Sequence, residues 1–174
     1  MKKILCLLIL ACFVLPMKLL AQDANAQLVK DWERAKAYTK EYMDAMPEDG
    51  YAFRPTKEMR SFAQQMLHLA GANFGLGSMA LGTTSPVNFQ EVEKATDQTK
   101  ATTEKTVMDS YDFVINSLKG VGADKMNETV NVFNNNISRL LAINKTFEHQ
   151  THHRGQTTVY LRLKGVTPPG EKLF

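Results

Sequence analysis

Apolar residues recur at intervals of three and four along most of this chain, with charged and polar residues between them. That period is the mark of helices burying one face. Between Ala26 and Met46, Leu28, Trp32, Ala35 and Tyr42 form one such stripe, and Pro47-Glu48-Asp49-Gly50 ends it with turn chemistry. Tyr51 to Pro55 reads as an extended connection, because a proline biases the residue before it away from helix. Thr56 is a suitable N-cap for a second helix, whose stripe is Met59, Phe62, Met66, Leu69 and Ala70. The glycine- and serine-rich run that follows predicts fraying into a loop over Gly75 to Thr84, then a helical turn over Phe89 to Glu93. A third helix spans Thr99 to Leu118 on Val107, Tyr111, Val114 and Leu118, and Gly120 and Gly122 close it. Asp124 to Val132 fits either a short helix or an extended crossover. The fourth helix begins near Asn136 or Ser138 and runs to Gly165. Four helices with apolar faces and no convincing strand predict an all-α protein, an antiparallel bundle.

The N-terminus has a different pattern. Met1-Lys2-Lys3 precedes an apolar run from Ile4 to Met17, and Lys18-Leu19-Leu20-Ala21 follows. A basic start, a short apolar stretch and a small residue at the cut point describe a secretory signal peptide over residues 1–21, with the cut falling as late as 26. Residues 27–174 then form one domain, large enough for a real core. The run is short for a membrane span and is interrupted by Pro16 and Lys18. The expectation is therefore an exported protein, periplasmic or extracellular, with no stable membrane span after cleavage.

Removing the leader changes two inferences. Both cysteines, Cys6 and Cys12, lie in it, so the mature chain has no thiol for a disulfide, a nucleophile or a thiolate ligand. Of the 21 basic residues, Lys2, Lys3 and Lys18 are also in the leader, which leaves 18 basic against 18 acidic. A near-neutral domain argues against nucleic-acid binding, which shows as a basic excess.

Three of the four histidines fall in Glu148-His149-Gln150-Thr151-His152-His153-Arg154-Gly155-Gln156. His153 follows His149 by four positions, so on a helix their rings share a face. Gln156 and Tyr160 extend that face, and His152 points away from it. Neutral imidazoles at this spacing make half of a metal site. For an arbitrary pair at this spacing a solvated polar face is the favoured reading, and a third ligand from elsewhere would reverse it. The zinc-peptidase pattern needs glutamate directly after the first histidine, where this chain has Gln150. His68 lies on the second helix beside Ser61, Gln64 and Gln65, away from the apolar stripe. It is either exposed or lines a pocket to which Gly71, Ala72 and Gly75 leave room.

His68, followed much later by His149-x-x-x-His153-Arg154-Gly155-Gln156 and Tyr160-Leu161-Arg162-x-x-Gly165-x-x-Pro168-Pro169, resembles the DinB / YfiT-like family. Phe53-Arg54-Pro55 and Met59-Arg60-Ser61-Phe62 look like the same family, and the resemblance spans about Trp32 to Gly170. It implies a DinB-like up-down-down-up four-helix bundle holding a divalent metal ion, zinc or nickel, on three histidines. Carried over, the ligands are His68, His149 and His153, with Arg154 and Gln156 in supporting roles. Characterised relatives include thiol transferases and isomerases that use low-molecular-weight thiols, many relatives have no established activity, and relatives are often dimers.

The resemblance therefore carries two functional expectations. One is a secreted metal-dependent hydrolase or thiol transferase acting on a small molecule, for which no general base is evident: Glu148 is misdirected on its helix, and Asp109 and Asp112 are unplaced. The other is a non-catalytic metal-binding or interaction protein. A bundle with no metal ranks behind both.

Overall fold

A computed structural model of the protein describes residues 25–174. The leader expected over 1–21, with Cys6 and Cys12, lies outside the described residues. Helix α1 covers 25–45, and a 3₁₀ turn, Glu48–Gly50, follows it. Helix α2 is Phe62–Leu81, α3 is Lys100–Gly120 and α4 is Arg139–Leu163. A 3₁₀ turn at Val92–Lys94 precedes α3, and another at Ala123–Asn127 follows it. The chain is thus mostly helical. No helix among the described residues is long and apolar enough to cross a membrane.

Each predicted helix exists, and the buried stripes are largely the expected ones. Trp32 of α1 is fully buried. Its ring meets Tyr111 of α3 at 5.8 Å and Phe147 of α4 at 5.4 Å, both edge-on, so one side chain ties three helices together. Helix α2 packs against both α3 and α4. The caps of α3 and α4 follow from sequence: Thr99 accepts from the backbone of Thr102, and Ser138 from that of Leu141.

The start and end of α2 differ from expectation. The helix begins after Ser61, not Thr56. Ser61 and Gln64 form a reciprocal capping box. The carbonyls of Phe53 and Tyr51 also accept from the N–H groups of Phe62 and Ala63, at 3.0 and 2.9 Å. The extended segment thus satisfies donors that every helix start leaves open. At the other end, the expected fraying from Gly75 does not occur. A Cβ on Gly75 would lie 2.7 Å from the Phe89 ring, and one on Gly77 would lie 2.9 Å from Val114. These glycines allow close packing, and the helix continues through them. It stops at Gly82, whose φ of +68° is the left-handed cap conformation.

The expectation of a purely α fold is corrected between α3 and α4. Thr129–Val132 (β1) and Asn135–Ser138 (β2) form an antiparallel hairpin, with Val130 opposite Ile137 and Val132 opposite Asn135. Of the two readings open for Asp124 to Val132, the extended one holds from Thr129 onward. The two residues at its tip, Phe133 and Asn134, have φ of +48° and +66°. That is the tight turn suited to strand twist. Four-residue strands rich in asparagine carry little hydrophobic alternation, so the pattern along the chain did not reveal them.

Candidate metal centre

His68 projects from α2, and His149 and His153 from α4. One ring nitrogen from each lies within 4.8 Å of the others. Ring centroids are 4.3 Å apart for His149–His153, 4.5 Å for His68–His153 and 5.3 Å for His68–His149. The i, i+4 pair therefore shares a face as its spacing predicts, and packing of α2 on α4 brings the third ring to it. His153 is buried and the other two are half-buried. Of the two readings of His68, the pocket is the one observed: His68 lines a cavity with Gly71, Ala72 and Gly75.

Each outward-facing nitrogen bears on whether the cluster suits a metal. Nδ1 of His68 lies 2.7 Å from Oε2 of Glu93, and the other carboxylate oxygen of Glu93 accepts from Nε of Arg60. Burial alone would raise the pKa of Glu93. Hydrogen bonds and charge from Arg60 and His68 outweigh it and hold the carboxyl below its ordinary value. The anion keeps the His68 proton on Nδ1 and leaves Nε2 as a lone pair, the arrangement metal-ligating histidines use. Nε2 of Gln65 lies 2.8 Å from Nδ1 of His153 and also donates to Oε1 of Gln156. Half-turns of both amides exchange their nitrogens and oxygens, and the Gln65 oxygen then accepts from Nδ1, doing for His153 what Glu93 does for His68. Nδ1 of His149 is buried and has no hydrogen-bond partner. Such an orphan costs about 1–3 kcal/mol.

Electrostatics keep the α4 rings neutral. Burial, reinforced by the neighbouring histidines, pushes His149 down to about 4 and His153 down to about 3. Both are therefore uncharged at neutral pH, with lone pairs available. Three imidazoles, one beside a carboxylate and one beside an amide, offer the nitrogen ligands that a borderline divalent cation takes.

The remaining candidates from the sequence lie apart from the cluster. Arg154 is buried on another side of α4, donating to Gln150 and Thr39 with its guanidinium 4.5 Å from the Tyr38 ring centroid. Its role is structural. Gln156 touches the centre through Gln65 and also contacts His152, which is exposed. Tyr160 is buried and donates to the carbonyl of Arg60. Gln150 faces Tyr111 in the core. Glu148, Asp109 and Asp112 pair with Lys145, Lys105 and Lys36. Glu93 was not anticipated as part of the centre. It stands 25 residues from His68 on a 3₁₀ turn, and no periodicity links the two.

The sequence model of the DinB family matches residues 21–173. The chain belongs to the DinB family. It is 25% identical over 146 residues to the uncharacterized protein YjoA of Bacillus subtilis (strain 168), covering 81% of this chain and 91% of that protein. The fold is similar to the crystal structure of a DinB-like protein from Bacillus cereus ATCC 10987, with a TM-score of 0.70 and 18% identity over 83% of this chain and 95% of the other. The crystal structure of YjoA aligns with a TM-score of 0.66 and 16% identity, over 83% and 96%. At those identities the solved structures speak for the fold alone. In this DinB-family chain, the three histidines of the resemblance are the ones the fold gathers into a cluster.

A cavity of about 360 Å³ opens beside the cluster, reaching His68, His149 and Glu93. Larger cavities, about 590 and 600 Å³, lie against α3 and under the C-terminal tail, and no histidine lines either. Chemistry, not size, singles out the smaller one.

Proposed function

We propose that this DinB-family protein binds one divalent metal ion, zinc or nickel, through His68, His149 and His153, and acts with it on a small molecule. The convergence of three ring nitrogens within 4.8 Å is the observation that carries the reading. A bound ion supplies Lewis acidity, polarising a substrate atom or favouring an anionic nucleophile. Glu93, braced by Arg60, orients His68, and the Gln65 amide orients His153. Burial keeps the α4 rings free of protons that would compete with the ion.

Within that reading, thiol transfer is favoured over hydrolysis. Glu93 is the carboxylate at the cavity, and both its oxygens are engaged, by Arg60 and His68. A thiol co-substrate brings its own nucleophile and needs less from a protein base. The same lack of a free base supports the alternative, a non-catalytic metal-binding or interaction protein. The proposal extends to an up-down-down-up four-helix bundle as the domain architecture of 27–174, with export by the leader over 1–21 to the periplasm or the exterior. The near-neutral charge argues against nucleic acid as a partner, and a homodimer is the expected assembly.

Elemental analysis of the purified protein tests the centre: one equivalent of zinc or nickel is expected, with loss in His153→Ala. Unchanged metal content after replacing all three histidines would remove it. Stoichiometric metal without turnover over hydrolase and thiol-transfer panels would select the non-catalytic alternative.

A further inference from the structure

The cavity beside the histidines is lined by both polar and apolar side chains. His68, His149, Glu93 and Gln90 are its polar members, and Leu76, Phe89 and Phe133 contribute apolar surface. Ala72 gives its floor little bulk, and Gly71 and Gly75 let Phe89 pack close beside it. The volume, about 360 Å³, can be compared with the apolar cavity of about 150 Å³ that accommodates a benzene molecule. There is room for a ring and a short substituent.

Phe133 is the unusual member. It occupies the first tip position of the hairpin at φ +48°, a conformation that suits glycine, asparagine or aspartate and strains a bulky residue. Its side chain is also largely exposed, at 67%. Neither the core nor the turn explains a phenylalanine there. Its position at the cavity does, since backbone strain concentrates where a side chain is held for a ligand.

We infer that this cavity binds a small molecule with an aromatic ring and a short substituent ending in a hydroxyl or thiol, the ring against Phe133 and Phe89 and the heteroatom at His68 and His149. This deepens the proposed function by naming the substrate class, and it rests on that reading only for what the heteroatom meets. The apolar walls favour an uncharged ring. Edge-on or offset contact with two phenylalanines favours an aromatic group over a flexible polar chain.

Benzyl alcohol serves as the probe and glycerol as the polar control. Each is titrated into metal-free protein while the resonances of His68, Phe89, Phe133 and His149 are followed by NMR. Zinc binding is measured separately by calorimetry. Benzyl alcohol is expected to shift those four residues saturably, and glycerol to leave them unmoved. Phe133→Ala should weaken benzyl alcohol at least fivefold, and Ala72→Leu, which fills the floor, at least tenfold, with zinc stoichiometry unchanged. Phe133→Gly should match Phe133→Ala in lost binding while raising the melting temperature, because glycine relaxes the turn. A folded Phe133→Gly protein that binds benzyl alcohol within twofold of the parent would overturn the inference, as would equal shifts with glycerol or none with benzyl alcohol. Saturable ring binding without zinc binding would remove the metal reading and leave this one standing. Zinc binding without ring binding would do the reverse.

Discussion

Nδ1 of His68 and Oε2 of Glu93 lie 2.7 Å apart, although the residues belong to different elements. The contact sets which nitrogen of His68 faces the other histidines. Breaking it should loosen the metal without removing a ligand. Glu93→Ala is expected to weaken zinc binding by about 10–100-fold, the usual cost of losing such an orienting partner. Glu93→Gln, which can still accept a hydrogen bond, should lose less. Competition titration with a chromogenic chelator measures both, and an unchanged affinity in Glu93→Ala would show that His68 needs no anchor.

Gln65 should behave in the same way toward His153. Gln65→Leu keeps similar bulk on α2 and removes the amide that lies 2.8 Å from the ring nitrogen. A drop in zinc affinity of about tenfold or more is expected. Nitrogen shifts of the His153 ring would reveal any change of tautomer directly.

The depressed pKa values of the α4 histidines predict how the metal-free protein responds to acid. Unfolded histidine titrates near 6.5, whereas burial holds His149 near 4 and His153 near 3. Between those limits the unfolded chain binds more protons, so folding stability is fully present above about pH 6.5. It should fall as the pH drops from there toward 4 and 3. The lowered carboxyl of Glu93 acts in the same direction at the acid end. Denaturant titrations at several pH values, with chelator present, should show the slope, and replacing both histidines with glutamine should flatten it.

Packing at α2 gives a prediction independent of any metal. A Cβ on Gly77 would lie 2.9 Å from the Val114 methyl, where helix and helix touch. Gly77→Ala has the higher helix propensity, yet it should destabilise by about 1–3 kcal/mol because the close approach is overpacked. Thermal melting decides the sign. A stabilised variant would mean that α3 yields readily.

Trp32 offers a larger effect. It is fully buried between α3 and α4, and Trp32→Ala should cost about 3–5 kcal/mol through the cavity it leaves. Trp32→Phe should cost less, because the apolar contacts with Tyr111 and Phe147 partly remain.

The sequence by itself determined the helices, most of their buried stripes and the shared face of His149 and His153, because these depend on a period of 3.6 residues and on neighbours one turn away. It also carried the family, through residues spread over most of the domain. The resemblance named His68 as the third member, but the packing of α2 on α4 is what brings its ring to that pair, and only the tertiary structure decided that Glu93 and Gln65 contact the rings and that Gly75 continues a helix. The Gln65–His153 contact joins positions 88 residues apart, and the partners of such a contact are chosen by how α2 lies on α4. The hairpin was hidden for a different reason. Its strands are four residues each, too short to show alternation, and they are defined by pairing with one another across a strained turn.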